Sequence, residues 1–257
     1  MKLNFHTHTT RCKHAIGTDE DYVKAALESG FDVLGFADHA PWAFDSDYVS
    51  HCRMPADQWG DYKQSVLNLK DKYQGQIDVH LGLECEFYEK YIDQLKRLRD
   101  DGCEYFILAC HFLHTEETNP YIGLICQDDS EMLHYAEETV KGIRTGLFSY
   151  VAHPDLYMMP RESFSPACME AADMICQAAK EAHMPIEYNL LGLLSELTGH
   201  PRGYPDQDFW QYVRKWDNDV ILGVDAHEPA QLRNQHVWDT ALRRLEALGH
   251  RLVNNIL

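Results

Sequence analysis

Three histidines fall within the run Phe5-His6-Thr7-His8-Thr9-Thr10-Arg11-Cys12-Lys13-His14, directly behind the short apolar segment Leu3 to Phe5. Successive side chains on a strand alternate faces, so His6 and His8 project to the same side and can grip one metal ion, with His14 across a short loop. Neutral imidazole binds Zn, Mn or Fe without first losing a costly proton. A His-x-His pair alone is more often an ordinary surface feature than a metal grip. Here the pattern recurs. Val33 to Ala37 leads into Asp38 and His39, Val79 to Leu83 into Glu84 and Glu86, and Tyr105 to Cys110 into His111. Tyr150 to Ala152 leads into His153-Pro154-Asp155, Ile186 to Asn189 carries Glu187 and Asn189, and Val220 to Val224 leads into Asp225-Ala226-His227.

Those apolar runs have the length and β-branched content of buried strands, and amphipathic stretches separate them at about residues 18–29, 56–73, 90–101, 129–146, 165–182, 206–215 and 229–248. Gly30, Gly102 and Gly146 stand where helix C-caps are expected, and Thr18, Asp129 and Ser165 where N-caps are. Seven strand–helix units in βαβα order predict the α/β class and a distorted (β/α)7 TIM-like barrel, whose chemistry would lie at the C-terminal rim of the strands. No linker-like run, internal repeat or low-complexity tract interrupts the 257 residues, so a single domain over 1–257 is expected.

Composition narrows the class further. With 45% apolar side chains the chain can bury a full core, and no apolar run approaches the roughly 18 residues of a membrane span. The eight cysteines are scattered without a Cys-x-x-Cys pair, several inside apolar runs where a thiol packs as a small hydrophobe; a cytoplasmic protein off the membrane is expected. A formal charge of -18 and the lack of any Lys/Arg-rich block argue against nucleic acid as a partner. A small anion drawn to a metal site fits.

Taken in order, His6-Thr7-His8 with His14, Phe36-Ala37-Asp38-His39, Gly82-Leu83-Glu84, Cys110-His111, Ala152-His153-Pro154-Asp155 and Gly223-Val224-Asp225-Ala226-His227 resemble the successive motifs of the polymerase and histidinol phosphatase (PHP) superfamily. Glu187-Tyr188-Asn189-Leu190-Leu191-Gly192-Leu193, with Tyr204-Pro205 following, resembles its histidinol-phosphate phosphatase branch. The resemblance spans essentially the whole chain. It implies a trinuclear divalent metal site (Zn, Mn or Fe), with His6, His8, Glu84 and Asp225 on one ion, a bridging Glu84 with His111 and His153 on the second, and His14, His39 and His227 on the third. It also implies hydrolysis of a phosphomonoester by a metal-activated hydroxide, with Asp225 or His227 as candidates for the acid that protonates the leaving group.

Around that set the residues leave choices open. Asp38 either orients the His39 ring or caps the following turn. Glu86, on the strand face of Glu84, competes for the bridging position, and Asp155 is either a turn cap or part of the site. Trp42 and Phe44 read as loop packing. Arg161 and Arg202 are the leading candidates to bind phosphate, ahead of Arg11, Lys13 and Arg53, because the guanidinium fork matches phosphate oxygens. One departure stands out: where the branch tends to carry a basic residue soon after the sixth-strand Gly-Leu, this chain reads Gly192-Leu193-Leu194-Ser195-Glu196, with Arg202 further along as its substitute. The expected substrate is L-histidinol phosphate of histidine biosynthesis. The alternatives are another PHP substrate (phosphotyrosine, a nucleotide, an oligonucleotide end) or a metal-binding module without turnover.

Overall fold

Residues 1–256 are described by a computed structural model. In chain order the elements are β1 (Leu3–Asn4), α1 (Asp19–Glu28), β2 (Val33–His39), α2 (Trp59–Lys72), β3 (Asp78–Cys85), α3 (Ile92–Asp100), β4 (Tyr105–Leu108), α4 (Ile122–Ile125), α5 (Asp129–Arg144), β5 (Tyr150–Val151), α6 (Pro166–Glu181), β6 (Ile186–Asn189), α7 (Leu190–Leu197), α8 (Gln207–Tyr212), β7 (Asp219–Gly223), α9 (Pro229–Leu232), α10 (Gln235–Leu248) and β8 (Arg251–Leu252). Pairing is parallel for β1 with β2, β2 with β3, β5 with β6, β6 with β7 and β7 with β8. The expected α/β class is therefore the one adopted. The count of seven strands is corrected to eight: β8 pairs with β7 through Asp219↔Arg251 and Val220↔Leu252. Two residues, one exposed and one half-buried, leave no apolar run to mark it.

The helix ends follow local chemistry. Thr18 and Asp21 form a reciprocal capping box at α1, and Ser165 caps α6 with Pro166 in its first turn. At α5 the cap is Asp128, whose carboxylate accepts from the amides of Ser130 and Glu131, with Asp129 the first helical residue; the expected cap lies one position too late. Gly30, Gly102 and Gly146 take positive φ just past their helices. Helix α7 is not among the expected helices: it is short, mostly leucine, and follows β6 with no intervening turn.

The chain divides into two compact units, one of residues 1–107 and 224–235, the other of residues 108–223 and 236 onward. In the first, β2 is buried along all seven residues, as expected of a parallel strand covered on both faces. Its interior is organised by Tyr105, whose hydroxyl donates to the carbonyls of Phe5 (2.8 Å) and Phe36 (3.0 Å), joining the segments that carry His6 and His39. The ring has room because Gly35 and Gly82 lie beside it. A Cβ on Gly82 would stand 2.3 Å from Tyr105 Cζ, and one on Gly35 2.2 Å from its hydroxyl. In the second unit α5 and α6 pack on one another through faces that include Tyr135, Ile143, Ala171 and Ile175. Among the described residues no helix is long and apolar enough to cross a membrane.

A Gly82→Ala substitution must displace the Tyr105 ring or the β3 backbone, and overpacking of this kind costs about 1–3 kcal/mol. Urea unfolding is expected to show a loss in that range, while Gly60→Ala, at a helical site with no atom within 4 Å of the new Cβ, loses nothing.

Candidate metal centre

The two histidine-bearing tripeptides face each other in the first unit. Thr7 and Ala226 form a parallel bridge, with the His8 amide donating to the Ala226 carbonyl (2.9 Å) and the Ala226 amide to the His6 carbonyl (3.2 Å). This register sets His6 and His8 against Asp225 and His227. The β2–β3 register sets His39 opposite Glu84 in the same way. One isolated bridge and one strand register thus gather residues far apart in sequence.

The resulting distances are short. His6 Nε2 lies 3.3 Å from Glu84 Oε1 and 3.4 Å from Asp225 Oδ1; His8 Nε2 lies 3.1 Å from Asp225 Oδ1 and 3.5 Å from Glu84 Oε2; His39 Nδ1 lies 2.9 Å from Glu84 Oε2. His227 Nε2 is 3.0 Å from His14 Nε2, and the rings of His8 and His227 stack at 4.1 Å. His6, His8, Glu84 and Asp225 are buried, His227 is half-buried and His14 is exposed, so the cluster opens to solvent on its His14 side. Seven of the nine residues singled out by the resemblance therefore meet in one unit. Both ring nitrogens of His8 are buried without an aligned hydrogen-bond partner, and the atoms of His6, His8 and Asp225, like those of His8, His39 and His227, converge closely enough to share one cation. Imidazole and carboxylate donors fit a divalent transition ion.

Charge distribution in the cluster follows from burial. Burial alone would lower the His8 pKa, but Asp225, Asp38 and Glu84 lift it to about 9. Burial would raise Asp225, yet His6, His8 and His227 hold it well below the usual carboxylate range. His227 is pushed down to about 3 by burial and by the neighbouring His8, His14 and His39. Asp225 also sits at φ +52°, a left-handed conformation that costs a β-carbon-bearing residue of order 1–3 kcal/mol and is tolerated where the surroundings enforce it.

In the second unit, His111 and His153 lie with ring centroids 5.1 Å apart, both buried. His153 takes φ +27°, and its amide donates to Glu187 Oε2 (3.0 Å), which also accepts from Asn189 Nδ2 (3.1 Å). Gly223 makes room for that carboxylate, since a Cβ there would overlap Glu187 Oε1. Asp155 accepts from the Asp206 amide (2.7 Å) and Trp210 Nε1 (3.1 Å), and burial raises its pKa to about 7. It ties the segment after His153 to the start of α8 and caps no turn of its own.

The remaining choices are settled by partners. Asp38 accepts from the Thr9 amide (3.1 Å) and the His39 amide (2.8 Å) and approaches the His8 ring at 3.7 Å, so it steadies both histidine segments. Glu86 is taken up by Arg53 (Nη2 to Oε1 2.8 Å, Nη1 to Oε2 3.1 Å) and by Trp42 Nε1 (2.9 Å). That removes Glu86 as a bridging rival to Glu84 and Arg53 as a phosphate binder. Arg11 pairs with Asp19 and Asp61, and Lys13 donates to the Ser50 carbonyl. Arg161 is pinned to Asp129 Oδ1 (2.6 Å) and the Gln127 carbonyl (3.0 Å), whereas Arg202 is exposed and makes no ion pair among the described residues.

Two contributors escaped the sequence reading. Asn4 donates to the His6 carbonyl (3.1 Å) and Thr7 Oγ1 (2.7 Å) and accepts from the amides of His6 (3.2 Å) and Val224 (2.8 Å), clamping the two tripeptides together. A lone Asn in a short strand carries no signal of such a role. Cys12 adds a further ligand-type atom close to His14 and His227, its thiol pushed up to about 12 by burial.

The PHP domain family model matches residues 4–190. A Bacillus subtilis protein named histidinol-phosphatase is 29% identical over 262 residues, covering 89% of this chain and 94% of that protein. A Deinococcus radiodurans protein named "Probable histidinol-phosphatase" is 26% identical over 272 residues, covering 96% and 94%. The crystal structure of histidinol phosphate phosphatase from Lactococcus lactis, complexed with zinc, L-histidinol and phosphate, is similar with a TM-score of 0.76 at 14% identity, over 99% of this chain and 96% of that one. That likeness is one of fold and places the alternation of strands and helices in the distorted TIM-like class.

Removing Glu86 strands a guanidinium that is almost wholly buried. Glu86→Ala is expected to cost about 3–5 kcal/mol in urea unfolding, and Glu86→Gln, whose single amide oxygen still accepts from Trp42 Nε1 and Arg53 Nη1 but whose NH2 faces Arg53 Nη2, somewhat less.

Proposed function

We propose, on the premise that this chain belongs to the PHP family, that it is a metal-dependent phosphomonoester hydrolase acting on L-histidinol phosphate in histidine biosynthesis. The observation that carries this reading is the register that brings His6 and His8 against Asp225 and His227, beside His39 and Glu84. The names borne by relatives matched over nearly their whole length support the substrate. The alternatives of another PHP substrate or a module without turnover draw no such support.

In this reading His6, His8, His14, His39, Glu84, His111, His153, Asp225 and His227 are the ligands of divalent ions, three in number as the family resemblance implies. Zn, Mn and Fe all suit imidazole and carboxylate donors. Bound divalent cations act as Lewis acids that activate water and neutralise charge gathering on phosphoryl oxygens. The chain's own residues prepare for that. Asn4 and Asp38 hold the backbone on either side of His6 and His8, and Glu187 fixes the backbone of His153. Asp225 and His227 are also the candidates for the acid that protonates the leaving group. Of the two candidate phosphate-binding arginines Arg202 is the less committed, since Arg161 would have to give up Asp129. A cytoplasmic setting belongs to the proposal, in keeping with eight cysteines that all carry free thiols.

The test is phosphate release by purified protein loaded with Mn or Zn, across histidinol phosphate, phosphotyrosine, nucleotides and sugar phosphates. Expected is a kcat/KM for histidinol phosphate that exceeds the others by orders of magnitude; equal rates across the panel would overturn the substrate. Asp38→Ala, which loosens ligand-bearing backbone without removing a ligand, is expected to weaken metal affinity or activity by about 10–100-fold.

A further inference from the structure

Outside the nine residues assigned above, the described part of the second unit holds another pair of facing imidazoles. His114, exposed on the irregular segment after β4, places Nδ1 3.2 Å from Nε2 of His134 on α5, with ring centroids 4.5 Å apart. Glu138, one turn further along the same helix, has Oε1 4.0 Å from that Nε2. Glu137 Oε2 approaches His134 Nδ1 at 3.6 Å, which favours a proton on Nδ1 and leaves the lone pair on Nε2.

We propose that His114, His134 and Glu138 form a separate surface site for one divalent transition cation of the zinc, cobalt or nickel class. A tetrahedral ion with Zn–N bonds of about 2.0–2.1 Å requires its two nitrogens to stand roughly 3.3–3.4 Å apart, and the observed separation already meets that within a few tenths of an ångström. Glu138 shares a helix face with His134 at the i,i+4 spacing and becomes the third donor by turning its carboxylate toward the pair, water completing the shell. Its Oε1 is 2.7 Å from Lys141 Nζ, an exposed contact of little strength, so the cation displaces a weak partner. Two imidazoles with one carboxylate select a transition ion over Mg or Ca, and the chain's net charge of -18 raises the local concentration of cations. An ion here staples the segment around residue 114 onto α5. Without one, the same contact is a hydrogen bond between the two rings.

The test compares wild type with His114→Ala/His134→Ala and with the single variant His134→Gln. Each is stripped with chelator, dialysed against buffered zinc and analysed for metal per chain, alongside cobalt titration followed by visible absorption. Expected is one zinc ion fewer per chain in both variants at equal free zinc, with the tetrahedral cobalt absorption reduced in proportion, and retention of this ion in His8→Ala. Glu138→Gln is expected to weaken it about tenfold. Equal zinc in wild type and both variants would overturn the site and leave the ring-to-ring hydrogen bond as the whole explanation. The readout counts ions lost from these residues alone, so it stands apart from the fate of the phosphatase reading.

Discussion

Burying an ionised carboxylate in protein costs several kcal/mol unless opposite charge compensates it. Asp38 and Asp225 are both buried and both held below the usual carboxylate range, Asp38 by His8, His39 and Thr9, Asp225 by His6, His8 and His227. Three buried carboxylates, Glu84 among them, thus crowd against a handful of imidazoles. A divalent cation bound among them would add positive charge where it is needed. The cluster's chemistry, its strain at Asp225 and its packing all turn on this demand for positive charge.

The scaffold meets that demand by rigidity close to the ligands. Asn4 joins the tripeptide of His6 and His8 to the one that carries Asp225, and Tyr105 bonds the carbonyls just before His6 and at Phe36. Glycines at 35 and 82 exist for the width of one phenol ring. A buried Arg53–Glu86 pair holds the stretch after β2 against the end of β3, two residues beyond Glu84. None of these groups reacts, yet each fixes a segment that ends in a ligand. Outer partners of this kind weigh heavily in metal affinity.

Much of this was legible in the chain. Buried parallel strands are written as continuous apolar runs, and a ligand-type residue at the end of each run marks the catalytic edge of a strand–helix fold. Hence β2, β3, β6 and β7 and the residues at their ends were found close to their true places. What stayed hidden was whatever depends on a partner. The choice between Glu84 and Glu86 turns on Arg53, which nothing local to β3 announces; the part played by Asp38 turns on Thr9, 29 residues away. Elements too short to show a period, such as β8 and α4, left no pattern to read. The charge states of Asp225 and His227 arise from burial and company, and neither is a property of the residue type.

The most direct measurement is anomalous X-ray diffraction at the zinc and manganese absorption edges, on crystals of protein loaded with each metal. Strong anomalous peaks bounded by His6, His8, Glu84 and Asp225, and by His14, His39 and His227, are expected, with loss of the first in Asp225→Asn. Metal-loaded crystals with no anomalous density among these side chains would contradict the central claim that the cluster exists to hold cations.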